Sequence, residues 1–262
     1  MTDKEILQIA LAQSAEDIGC KAEDFTKTEN VICKYHMGEH ARKYIKQPVI
    51  GNFVSYGSNV VAAVQDDIRD IAEEYLKKYE FYHLFETPNM TWLSEKLRPL
   101  GYGVCFMAEY YLPKLDMVKE HPCDFELKVL EQKDFTDLYV PEWDNALCEA
   151  RKELDVLGVG AYTQDKLIGL AACSADADEM WQIGVDVLPE YRRNGIATSV
   201  TSKLITEILK RNKVPFYCTA WSNIRSVRNA VKCGFIPAWV EMTIKTLSVV
   251  EEVNNPPLTI IS

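Results

Sequence analysis

The stretch Val185-Asp-Val-Leu-Pro-Glu-Tyr-Arg-Arg-Asn-Gly-Ile-Ala197 limits the fold more than any other part of the chain. Residues 180–187 form an apolar run of strand length. Residues 197–211 carry apolar side chains at helical spacing. Pro189 ends the strand, and Gly195 stands just before the helix. A strand that turns directly into a helix leaves the first helical N–H groups without partners. The helix dipole adds partial positive charge at the same end. Such a junction suits an anion, and a pyrophosphate in particular. Gly195 permits close backbone approach or a positive φ. Ala197 is small for the same reason, and Arg192 and Arg193 add charge.

The elements around this junction alternate. Residues 3–18 have helical periodicity, with Ile6, Ile9, Ala10 and Ile18 apolar. A polar stretch runs on to about Gln47, and Val31 to Tyr35 within it reads as a strand. Residues 52–64 read as a strand or hairpin turning at Gly57-Ser58-Asn59. Then come a helix over 66–79, a short aromatic strand over 81–85, a helix over 88–97 and a long strand over 102–112. The order is β-α-β-α-β. Residues 113–122, rich in Pro, Lys, Asp and His, interrupt it, and the domain boundary is placed there.

The second half opens with a strand at 125–130 and helices near 135–139 and 144–154. A hairpin over 156–163 and 167–174 follows, turning at Gln164-Asp165-Lys166. After the junction come a strand at 215–220, a helix at 223–232 and a last strand at 235–244. Asn254-Asn255-Pro256-Pro257 reads as a surface extension. A chain of 262 residues accommodates two domains, assigned as 1–120 and 121–262. The endings Gly101-Tyr102 and Gly234-Phe235 suggest that the first half is a degenerate structural repeat of the second.

Net charge is −10, which argues against non-specific nucleic-acid binding. Residues 121–190 sum to −11 and residues 191–240 to +8. That division suits a site holding a polyanion on one side and a cation on the other. It equally describes helix faces that differ in charge. No apolar run approaches the ~20 residues of a membrane span, and the N-terminus lacks a secretory pattern. The eight cysteines are scattered without a C-x-x-C pair, as in a protein of a reducing compartment. The expectation is a soluble, cytoplasmic protein.

Arg192-Arg193-Asn194-Gly195-Ile196-Ala197 resembles the R/Q-x-x-G-x-G/A motif of the GNAT superfamily of N-acetyltransferases. The hairpin before it and the segment from Ser222 to Phe235 after it resemble that family's order, over about residues 125–245. The resemblance implies a mixed, mostly antiparallel central sheet flanked by helices (α/β, α+β), with a degenerate GNAT-like N-terminal domain. It implies acetyl-CoA as co-substrate and no metal. Backbone groups of Val185 and Val187 would pair with pantetheine. Arg192, Arg193, Asn194, Gly195, Ile196, Ala197 and Thr198 would hold the pyrophosphate, and Asn223 would reach the cofactor. Strands 180–187 and 215–220 would splay into a slot for the thioester. The acceptor expected is a primary amine of a small molecule. A peptide or protein N-terminus and a non-catalytic acyl-CoA-binding module are the alternatives. The assembly is left open, a homodimer included.

Acetyl transfer to an amine needs a neutral amine, an oriented thioester and a proton for the leaving thiolate. Many family members place a Tyr four residues before the closing Gly, where this chain has Ala230. Some use a Glu on the central strand, where this chain has Trp181 or Gln182. The nearest carboxylates are Asp186, which is preferred, and Glu179. Both also read as solvated strand-end acids. His36-Met-Gly-Glu39-His40 matches the inverted zinc-protease pattern H-x-x-E-H, but Gly38 and the strand-like residues before it oppose the helix that zinc ligation would need.

Overall fold

The computed structural model describes residues 1–255. Along the chain run α1 (Asp3–Ile18), β1 (Val31–Lys34), β2 (Gly51–Ser55), β3 (Val61–Val64), α2 (Arg69–Lys78), α3 (Thr87–Leu97), β4 (Tyr102–Pro113) and β5 (Glu126–Glu131). Then follow β6 (Asp155–Thr163), β7 (Lys166–Ser174), β8 (Met180–Val187), α4 (Ile196–Lys210), β9 (Val214–Thr219), α5 (Ile224–Lys232), β10 (Phe235–Thr246) and α6 (Leu247–Asn254). These residues form two compact units. One comprises Met1–Ala10 and Glu109–Ala238, the other Leu11–Ala108 and the described residues from Trp239 onward. These compact units divide at 108/109, and the described residues from Trp239 onward fall in the unit built mostly from the first half.

In the unit of residues 11–108, β2 and β3 form an antiparallel hairpin, and Gly57 in its turn takes φ +94°. β1 lies parallel to β3, and the 240–244 part of β10 pairs antiparallel with β2. Phe53, Val64, Tyr75, Leu93, Met242 and Ile244 form its buried core. The strand expected over 81–85 is absent. Phe81–His83 is a 3₁₀ turn leading towards α3. Leu84 and Phe85 are buried, and the Tyr75 hydroxyl donates to the Leu84 carbonyl. The aromatic run therefore packs as a turn, and its backbone enters no sheet ladder. The order becomes β2-β3-α2-α3-β4 rather than β-α-β-α-β.

In the unit of residues 109–238, β5, β6, β7 and β8 are successive antiparallel neighbours. β8 pairs parallel with β9, and β9 antiparallel with β4. The sheet is thus mixed and mostly antiparallel. α4 and α5 cover one face, where Val200, Leu204, Ile208, Tyr217, Ala230 and Phe235 share a buried cluster. Phe135, Trp143, Leu147, Leu170 and Ala172 form a second cluster. The helices expected at 135–139 and 144–154 are replaced by 3₁₀ turns at Gln132–Phe135, Pro141–Trp143 and Glu149–Arg151. Carboxylates account for the difference. Asp186 accepts the N–H groups of Asn145 and Ala146, and Asp155 accepts that of Cys148. The segment wraps around these acceptors. The hairpin β6-β7 and the junction from β8 into α4 lie within one or two residues of their expected bounds. Asn254 closes α6, and Pro256-Pro257 of the expected extension lies outside the described residues.

Candidate functional site

The site begins where β8 and β9 part. Their register holds only Met180↔Val214, Trp181↔Pro215 and Gln182↔Phe216. Beyond Gln182, β8 continues paired to β7 as far as Gly169↔Val187. Beyond Phe216, β9 continues paired to β4 through Tyr111↔Tyr217 and Glu109↔Thr219. Each strand is anchored on its outer side, so the fork between residues 183–187 and 217–219 stays open. The edge of β8 facing the fork, which includes Val185 and Val187, can hydrogen-bond an extended ligand as an added strand would.

At the open end of β8 the chain makes a 3₁₀ turn, Pro189–Tyr191, and then the loop that begins α4. Arg193 takes φ +69° and Gly195 φ +77°. A positive φ at a non-glycine residue is uncommon, and here it alternates with the glycine to fold the backbone into a concave nest. Gly195 caps α4 without a side-chain hydrogen bond. The backbone N–H groups of residues 193–198 make no hydrogen bond among the described residues. A run of unsatisfied donors at a helix start fits a phosphate group.

The expected ligands Arg193, Asn194, Gly195, Ile196, Ala197 and Thr198 fall together at this nest. Arg192 instead turns back, its Nε donating to the Val187 carbonyl at 3.0 Å. The Thr198 hydroxyl donates to Asn229 Oδ1 at 3.1 Å, and Asn229 Nδ2 donates to the Thr201 hydroxyl at 3.1 Å. These bonds tie the start of α4 to α5. Asn223 is the N-cap of α5, its Oδ1 accepting from the Ser226 N–H at 3.2 Å.

The two faces of the fork differ. Asp186 projects on the face away from Val185 and Val187, as the pleat requires. Its carboxylate accepts from Asn145 N at 2.9 Å, Asn145 Nδ2 at 2.8 Å and Ala146 N at 2.9 Å. Burial raises its pKa, and the Asn145 and Ala146 hydrogen bonds oppose the rise. Gln182 Nε2 donates to Cys218 Sγ at 3.4 Å across the base of the fork. Glu179 is exposed and precedes β8 at the end where the strands are still paired. On the helical face Tyr217 is the first residue of β9 beyond the last pair, with its hydroxyl 2.8 Å from Ser226 Oγ. Ser226 lies within the segment from Ser222 to Phe235 that carries the family resemblance, but Tyr217 had no motif to single it out. The sequence signal for Tyr217 is its alternate spacing in β9, which describes core equally well. Residues 36–40 form no helix, so His36, Glu39 and His40 do not line one helical face. Among the described residues no group of three potential ligands is placed to hold a metal.

A mixed, mostly antiparallel sheet with a forked parallel pair, and a donor-rich nest at the helix following it, is the arrangement of the GNAT fold. A profile of the GNAT acetyltransferase family matches residues 68–238. The chain belongs to that family. Among solved structures it is similar to a GNAT-family acetyltransferase from Colwellia psychrerythraea. Identity is 14% and TM-score 0.45, with 94% of this chain and 98% of that chain covered. A GCN5-related N-acetyltransferase from Kribbella flavida is 16% identical at TM-score 0.47, covering 77% and 89%. A GNAT-family protein from Novosphingobium aromaticivorans is 18% identical at TM-score 0.45, covering 55% of this chain and 66% of its own. No curated protein matches the sequence.

Proposed function

We propose that this protein is an acetyl-CoA-dependent N-acetyltransferase acting on the primary amine of a small molecule. The observation that carries the reading is the fork between β8 and β9 opening onto the nest at residues 193–198. One feature positions a thioester and the other holds its diphosphate. Bound acetyl-CoA would supply an activated acyl carbon. Val185 and Val187 would orient the pantetheine arm through their backbone, and the 193–198 loop would fix the diphosphate. Such orientation contributes much of the acceleration in acyl transfer.

The amine must lose a proton as the new bond forms. Asp186 is the carboxylate nearest the open fork along β8. Three N–H groups occupy three of the roughly four acceptor positions of a carboxylate. The position left on Oδ1 can bind a water that relays the proton. The acidic character of residues 121–190 favours a cationic acceptor.

Thiol release from acetyl-CoA with a panel of amines tests the reading. Small primary amines should support turnover and peptides should not. Turnover confined to peptides would move the assignment to an N-terminal acetyltransferase. Tight acetyl-CoA binding without turnover on any amine would make the protein a binding module.

A further inference from the structure

The fork has a closed end, and two side chains reach across it after the backbone pairing has stopped. Gln182 is the last residue of β8 paired to β9, opposite Phe216. Its side chain takes the face away from α4 and α5, as that of Asp186 does, because alternate residues share a face. Its Nε2 donates to Cys218 Sγ at 3.4 Å, and Cys218 lies two residues beyond the last pair. Phe216 is fully buried and stacks on Tyr110 of β4 at 6.4 Å between centres, so the paired end behind this contact is packed. On the helical face the same end holds Trp181 and Tyr217, both packed in the cluster under α4 and α5. Nearer the mouth the Asn145 backbone lies against Gly184.

The length of the fork matches the arm that would lie in it. From Val187 back to Gln182 the strand covers about 17 Å, at roughly 3.3 Å per residue. A pantetheine arm has about a dozen bonds between diphosphate and sulfur and spans about 15 Å at the reach of an extended chain. With the diphosphate in the nest beyond Val187 and the arm along the β8 edge, the sulfur comes level with Ile183 or Gln182. The acyl group extends past the sulfur, towards the closed end. We propose that Gln182 and Cys218 form the floor of the acyl pocket, admitting an acetyl group and excluding a four-carbon acyl chain. This rests on the acetyl-transfer reading above. Gln182 is long enough to cross from one arm to the other, and its hydrogen bond to Cys218 holds it there. Truncating either side chain breaks the contact and frees the space it filled. Gln182→Ala removes more atoms than the two methylenes by which butyryl exceeds acetyl.

The test is the ratio of affinities for acetyl-CoA and butyryl-CoA, measured by calorimetry on the wild-type protein and on Gln182→Ala. Wild type should bind butyryl-CoA more weakly by roughly tenfold or more, the scale of discrimination that one or two methylenes give in a closed pocket. Gln182→Ala should bring the two affinities together. Cys218→Ala opens the same floor from the other arm and should move the ratio in the same direction. A variant that is merely destabilised loses both ligands alike, which the ratio and a thermal melt reveal. Wild-type protein that binds the two thioesters equally would overturn the floor without recourse to any variant. Discrimination that survives in both Gln182→Ala and Cys218→Ala would overturn its assignment to these residues. The ratio is read by binding, so a protein that turns over no amine would refute acetyl transfer and leave the floor standing. Failure to bind either thioester would refute the donor reading, and the floor with it.

Discussion

Two residues of the fork and nest have sharply different jobs. Gly195 has open space around the position of a side chain, so its value lies in its φ of +77° and in its neutrality. Gly195→Asp puts a carboxylate among the free N–H groups of residues 193–198. Calorimetry should show acetyl-CoA bound at least tenfold more weakly, a loss of about 1.4 kcal/mol or more. Unchanged affinity would place the diphosphate elsewhere. Asp186 is a carboxylate with a raised pKa, and a base acts only when deprotonated. Activity should therefore fall as pH drops through this raised pKa. Asp186→Asn should remove that acid limb and lower kcat by roughly 10²-fold, with acetyl-CoA affinity retained. A full-activity Asn variant would leave Asp186 as the clamp of residues 145–146 alone.

At the scale of elements, the fork depends on what lies against β8. A Cβ built on Gly184 would sit 1.9 Å from the Asn145 carbonyl oxygen. That neighbour is backbone held by Asp186, so it cannot swing aside. Gly184→Ala should push the 141–147 segment off the strand and cost roughly 1–3 kcal/mol in urea denaturation. Wild-type stability would mean the segment yields freely. The contrast between legible and illegible elements has the same origin. β8, α4, β9 and α5 were readable because each carries its own apolar periodicity and marks its ends with Pro189, Gly195, Asn223 and Gly234. Residues 132–151 were not, because their N–H groups bond to Asp155 and Asp186, which lie 7 to 41 residues further along. The aromatic run at 81–85 looked like a strand because composition reports burial and is silent on ladder partners.

Long-range pairing decides most at the scale of the whole chain. In the unit containing residues 11–108, Arg42 is 2% exposed and bonds Asp17 on α1 through Nε. Its Nη2 bonds Glu241 on β10 at 2.5 Å, a partner 199 residues away. Glu241 also accepts from Trp239 Nε1 at 2.8 Å. Burial pushes the Asp17 pKa up while the Arg42 charge pulls it down. Arg42→Met would leave two buried carboxylates without their cation. The expected cost is about 3–5 kcal/mol by denaturant melting. Substituting Asp17→Asn and Glu241→Gln as well should recover part of it, because the stranded charges are then gone. A single variant as stable as wild type would show that the ion pairs contribute nothing.

The sequence alone determined the strand–loop–helix junction at 185–197, the hairpin before it and the strand and helix after it. These are set by local periodicity, a proline, a glycine and a helix end that needs an anion or a cap. With them came the family and the expectation that the 193–198 loop holds a diphosphate. Only the tertiary structure decided that β8 and β9 part after Gln182 and Phe216, because a fork is a failure of pairing between segments some 30 residues apart. It also decided that residues 239–255 join the unit of the first half, and that a phenol from β9 lies in the cluster with Ala230 of α5. Each of these turns on which distant side chains meet. Spacing along one strand reports which face a residue takes, but not what stands opposite it.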